Sequence, residues 1–223
     1  MSAADRTWLI GIDGRSGAGK TTLAAALAAA LAAALAGESD RQREPDRQRE
    51  PDREWRPRLD RVPIDVFHLE DVYPGWDGLS AGMDRYRAEV LEPLVAGRSA
   101  RWTDWDWASH RPGRTHLIAP GGLVIAEGVG AGHAAARPLL DVLVWVQVPA
   151  DQRRQRALAR DGDLFRPHWS RWARQEKRWL EGDDVAAAAD VVVDGSDDPH
   201  HEPDTDVIAR HVLCRLIGKP GRR

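Results

Sequence analysis

Asparagine is absent from the 223 residues, and cysteine occurs once, at Cys214. Without asparagine the chain has no N-K-x-D element, with which guanine-specific switch proteins read their base, and that class is excluded. A single cysteine can form neither an intramolecular disulfide nor a thiolate metal cage, and Cys214 reads as a buried, inert thiol. Lysine is nearly missing too. Of 32 basic residues only Lys20, Lys177 and Lys219 are lysine, so each invites a reason. Set against 35 acidic residues, the basic ones leave a net charge of −3. No global positive field therefore recruits nucleic acid or an anionic membrane. The longest apolar block, 21–36, is an alanine run of helical character, and the first ten residues lack the regions of a signal peptide. A cytoplasmic protein without nucleic-acid or membrane partners is expected. Self-association into a homo-oligomer stays open.

With 42% apolar and 30% charged residues the chain can build a sizeable core, and one domain over 1–218 is expected. Trp8 to Asp13 is short, apolar and bounded by glycine, as a fully buried strand should be. The next segment, Lys20 to Ala36, is rich in the strongest helix formers and carries leucines at 23, 27, 31 and 35 on one stripe. Gly37 is the expected stop. Residues 38–60 then change character, with two copies of DRQREP at 40–45 and 46–51. Almost free of apolar residues, this stretch is expected to be a disordered insertion. A second strand is expected over 61–69, a helix over 83–96, and strands over 123–126, 141–148 and 191–193. Further helical stretches start at Asp151, His168 and Asp206. Strands alternating with helices, each strand an apolar run, predict an α/β fold with a parallel sheet covered on both faces.

Gly14 to Thr21 reads GRSGAGKT, which is G-x-x-x-x-G-K-[S/T] placed between a strand and a helix. The chain's own composition gives roughly 0.001 chance matches to that pattern. Glycines let successive backbone N–H groups converge on phosphate oxygens, and the helix start adds its positive dipole end. Gly14, Arg15, Ser16, Gly17, Ala18, Gly19, Lys20, Thr21 and Thr22 are thus the expected ATP-binding segment. Lys20 is expected to bridge the β and γ phosphates and Thr21 to hold Mg²⁺.

A phosphoryl transferase also needs a base, a second carboxylate near Mg²⁺ and mobile arginines. Glu70 and Asp71 follow the second strand, on the sheet edge where the first strand delivers the phosphate loop, and either one can be the base. Glu127 ends the 123–126 strand at that same edge and is the expected second metal ligand. Residues 151–166 are dense in arginine around Gly162, as expected of a helix running into a lid that spans about 151–182. Arg156 and Arg160 share one helical face there. Between these segments lies RWTDWDWASHR, 101–111, in which Trp102, Trp105 and Trp107 crowd around two aspartates. Aromatic faces with interleaved polar groups suit the stacking and edge-reading of a nucleobase.

With these residues in place the chain resembles the uridine/cytidine kinase family of P-loop kinases, related to phosphoribulokinase and bacterial pantothenate kinase. The family's D-x-F-Y element, whose Asp is the catalytic base, is similar to Glu70, Asp71, Val72, Tyr73, so the base is Glu70 or its neighbour Asp71. Its F-D-H-P element resembles Trp76 and Asp77, which by that likeness contact the base and ribose of the acceptor. Its Y-D-F-x-x-H-x-R stretch is similar to Trp105, Asp106, Trp107, His110 and Arg111. The lid pattern R-R-x-x-R-D looks like Arg156, Ala157, Arg160, Asp161, with Arg166 standing for a later arginine. The resemblance implies a three-layer P-loop NTPase fold with a small lid, ATP and Mg²⁺, and transfer of the γ-phosphoryl group to a hydroxyl of a nucleoside-like metabolite. It places Lys20, Glu70, Asp71 and Arg160 in catalysis, and Tyr73, Trp76, Asp77, Trp105, Trp107, His110, Arg156 and Arg166 around the acceptor. A nucleotide-binding regulatory ATPase, or an ATP-binding relative without kinase activity, is the alternative.

Overall fold

The computed structural model of the chain describes residues 6–43, 62–196 and 204–218. In chain order its strands are β1 (Trp8–Asp13), β2 (Ile64–His68), β3 (Ala100–Asp106), β4 (Arg111–Ile118), β5 (Leu123–Glu127), β6 (Val142–Gln147) and β7 (Val191–Asp194). Five of them form a parallel sheet in the order β2-β5-β1-β6-β7, while β3 and β4 pair as a separate antiparallel hairpin.

The central strands are apolar on both faces because both faces are covered. Successive residues of β1 enter opposite cores. Ile10 and Ile12 pack with Leu23, Leu27 and Leu31 of α1 (Lys20–Arg43) and with Ile208, Val212 and Leu216 of α7 (Thr205–Gly218). Leu9 packs on the other face with Tyr86, Val90, Leu91 and Leu94. These belong to a helical run made of α2 (Leu79–Arg85), a π-helical stretch (Tyr86–Leu91) and α3 (Glu92–Val95). Parallel strands flanked on both faces by helices are the three-layer α/β arrangement expected from the sequence.

Four local expectations are corrected. α1 does not stop at Gly37 but runs to Arg43, so 38–43 is helical; one glycine costs a helix about 1 kcal/mol, which a long helix tolerates. The rest of the supposed disordered insertion, 44–60, lies outside the described residues. The helix expected over 83–96 starts earlier, at Leu79, and widens into π geometry where the Glu92 N–H bonds Arg87 O. Pro93, which lacks an N–H and crowds the preceding turn, is the local cause. β4 went unread because its residues are polar and mostly exposed. Cys214 is exposed: Ile208, Ala209, Val212 and Leu216 take the inner face of α7, and Cys214 falls on the outer one. Among the described residues no helix is long and apolar enough to cross a membrane.

α4 (Ala150–Phe165) and α5 (Trp169–Leu180) follow β6 and occupy the expected lid region. Inside α4 the helix breaks at Gly162, whose φ of 53° and ψ of −130° are non-helical. A short α6 (Val185–Ala188) leads into β7.

Candidate active site

The carboxyl ends of β1, β5 and β2 lie side by side, with Ile12 opposite Glu127 and Glu127 opposite His68. Residues 14–19 leave β1 there and curl into the start of α1. A Cβ at Gly17 would collide with the carbonyl oxygen of Arg153, so only glycine fits, and its φ of 81° agrees. Gly19, at φ 88°, faces open space with no atom within 4 Å of where a Cβ would sit. Open space beside converging N–H groups is what an approaching phosphate needs. The first turn of α1 carries no acidic residue of its own to offset the positive dipole end there. Lys20 is buried at that end and donates from Nζ to Arg15 O at 3.2 Å.

A cavity of about 460 Å³ opens onto the loop. Its lining joins Ser16, Gly19, Lys20 and Thr21 of the loop with Glu70, Tyr73, Trp76 and Trp107. Glu127 lines it as well, with Arg160 and Phe165 of α4 and Trp172 of α5.

Two of its three carboxylates, Glu70 and Glu127, are driven apart. Burial, and then the negative Glu127, push the Glu70 carboxyl above its ordinary value, only partly offset by Arg160 and His68. Burial also acts on Glu127, but the hydrogen bond from His68, the positive Lys20 and the Thr21 hydroxyl outweigh it and hold that carboxyl low. Glu127 therefore stays anionic while Glu70 is tuned to take up a proton, which separates their roles. The Thr21 hydroxyl donates to Glu127 Oε1 at 2.9 Å, and His68 Nδ1 meets the same oxygen at 2.7 Å. That hydrogen bond raises the His68 pKa, so an imidazolium is favoured beside Glu127. Thr21 and Glu127 present hard oxygen donors beside the phosphate cradle, which fits Mg²⁺.

Asp71 is parted from Glu70. It lies outside the cavity, within the electrostatic reach of His68, His116 and Asp104 and beside Trp102 of the hairpin. Glu70 is steadied by Trp107, whose indole N–H donates to its carbonyl at 3.2 Å. Tyr73 donates its hydroxyl to Val129 O at 2.6 Å and presents its ring to the cavity. Trp76 is the hub of an aromatic nest. It stacks on His168 at 4.4 Å and on Phe165 at 5.3 Å between ring centroids, with Trp107 tilted against it at 4.5 Å.

Several expected acceptor residues lie elsewhere. Asp77 turns outward to pair with Arg171 of α5. Trp105 packs over Gly75, and His110 sits at the exposed hairpin tip at a φ of 53°. Arg156 donates to Gly195 O at 2.8 Å, and the exposed Arg166 lies 3.4 Å from Asp163. None of these five lines the cavity. Arg160 does, oriented by a two-pronged pair with Asp161 at 2.7 and 2.8 Å. Phe165, Trp172 and His68 were not anticipated. The tryptophans at 169, 172 and 179 of α5 were the available signal for Trp172, and for His68 it was its place at the end of β2.

Asp13 supports the loop from behind. Fully buried, it accepts N–H groups from Gly14 (2.6 Å), Gly130 (3.0 Å) and Gly132 (2.7 Å). Burial outweighs these bonds and lifts its pKa from 3.8 to about 6. The native state then binds more protons than the unfolded chain between those values. Its contribution to stability is thus fullest below the lower value and falls as pH rises through the upper, by about 3 kcal/mol. The stability advantage of wild type over Asp13→Asn, measured by urea, should fall by about 2 kcal/mol from pH 4 to pH 7, since pH 4 already lies just above the lower value. A constant difference would contradict it.

No protein-family model and no curated protein matches the chain. Among solved structures it is similar to a possible uridine kinase from Bacillus stearothermophilus, with 20% identity over 86% of this chain and 90% of that one and a TM-score of 0.49. It is also similar to shikimate kinase from Acinetobacter baumannii in complex with shikimate, with 16% identity over 96% and 95% and a TM-score of 0.45.

Proposed function

We propose that the protein is an ATP-dependent small-molecule kinase of uridine kinase-like type, transferring the γ-phosphoryl group to a hydroxyl of a nucleoside-like acceptor. The observation that carries this reading is that one cavity joins the phosphate loop, a carboxylate tuned upward and an aromatic wall. A site that only sensed nucleotide would have no need of the second wall.

Glu70 takes the proton of the acceptor hydroxyl as its oxygen bonds to the γ-phosphorus, and the bond to the departing ADP oxygen breaks. Lys20 and Arg160 offset the charge on the moving phosphoryl group. Mg²⁺, held by Thr21 and Glu127, would supply further neutralisation of the phosphates when bound. Phe165 and Trp172, beyond the Gly162 break, exclude water from the lid side. The aromatic surface that Trp76 and Trp107 present to the cavity favours a planar acceptor. The buried Trp76 Nε1 has no acceptor among the described residues, so a ligand carbonyl there would satisfy it. With Asp77 turned to Arg171, the ribose grip implied by the resemblance would need that pair to open.

The reading is tested by incubating the protein with γ-labelled ATP, Mg²⁺ and separate nucleosides, pantothenate and sugar phosphates. A labelled nucleoside phosphomonoester is expected. Label released only as inorganic phosphate, whatever the acceptor, would favour the regulatory ATPase.

A further inference from the structure

Two buried charges meet the phosphate loop from outside the cavity, and the transfer chemistry uses neither. Glu176 of α5 is 0% exposed and Arg153 of α4 is 5% exposed. Buried charges are costly unless paired and fully hydrogen-bonded, so where their bonds go is informative. Both go to the same residue of the loop. Glu176 Oε1 accepts the Ser16 N–H at 2.8 Å, and Arg153 Nη1 donates to Ser16 O at 3.2 Å. The second oxygen of Glu176 accepts from Arg15 Nε at 3.0 Å, while Arg153 Nε is anchored to Val148 O at 3.1 Å. Both backbone polar groups of Ser16 are thereby fixed, one residue before the glycine that touches Arg153.

The same helix that carries Glu176 also holds the acceptor wall. Gln175 donates to Trp76 O at 2.7 Å, Arg171 pairs with Asp77, and Trp172 lies against Tyr73 at 5.0 Å between centroids. One side of α5 thus grips the donor loop and the segment 73–77 together.

We propose that Glu176 is a positioning residue for nucleotide, setting the curl of the phosphate loop through the Ser16 N–H and tying it, along α5, to the acceptor wall. The proposal rests on the nucleotide-binding reading above and adds a residue to it. Losing the carboxylate frees the Ser16 N–H and lets the loop sample curls in which its N–H groups no longer converge, so affinity for the phosphate tail falls. The amide of Gln keeps an oxygen for Ser16 but faces Arg15 with a donor.

The test is equilibrium binding of a fluorescent ADP analogue with Mg²⁺ to full-length wild type, Glu176→Ala and Glu176→Gln, well below their melting transitions. A merely structural role would lower the melting temperature and leave the affinity of the folded protein unchanged. Expected is a loss of at least about tenfold for Glu176→Ala and about threefold for Glu176→Gln. Equal affinity of wild type and Glu176→Ala would overturn this inference alone. If Glu176→Ala does not fold, Glu176→Gln decides: wild-type affinity overturns the inference, a threefold loss supports it. No binding to wild type would overturn the nucleotide reading, and this inference with it.

Discussion

Lys20→Ala is expected to lower kcat/KM for ATP by about a thousandfold while the protein stays folded, because one preorganised cation is removed from the transferring phosphoryl group. Lys20 is buried at the start of α1 with its ammonium 3.2 Å from Arg15 O, so it is already placed and needs little reorganisation when nucleotide arrives. It lies on the loop side of the sheet and outside the leucine stripe that packs α1, so the hydrophobic cores should be undisturbed. Its charge also helps to hold Glu127 low. Activity within tenfold of wild type, with an unchanged circular dichroism spectrum, would refute the assignment of the loop.

Glu70→Gln should lower kcat by about a hundredfold or more, in the range of a lost general base, with little change in ATP affinity. The pH profile gives the sharper signature. Burial and Glu127 raise the Glu70 pKa, and the base acts only when deprotonated, so kcat should rise with pH through that raised pKa. The acidic limb should vanish in Glu70→Gln. Asp71→Asn, altering a side chain turned to the hairpin, should cost less than tenfold. The reverse ranking of the two variants would move the base to Asp71.

Much of the donor side was legible in the sequence because it is local. An apolar strand, a glycine-rich turn and a helix in direct succession determine where a phosphate can sit, and β1, the loop and the start of α1 are where the pattern puts them. Strand ends were legible for a similar reason: Glu70 and Glu127 reach one cavity because parallel strands bring their carboxyl ends to one edge. The acceptor side depends on contacts across the chain. Nothing near Asp77 in sequence announces Arg171, which turns it outward from 94 residues away. Trp105 and Trp107 are two apart yet part company at the irregular end of β3, where the pairing slips between Thr103 and Trp105. Only Trp107 reaches the cavity. The polar β4 hid for want of a buried face, and α1 continues past Gly37, where residue preference alone would have ended it.

The most direct measurement is a crystal structure with a non-hydrolysable ATP analogue and Mg²⁺. The triphosphate should lie on Gly17 to Thr21, its γ-phosphorus between Lys20 and Arg160 and directed toward Glu70. A nucleotide bound on another surface, or one whose γ-phosphate points away from Glu70 and the aromatic wall, would contradict the proposed phosphoryl transfer.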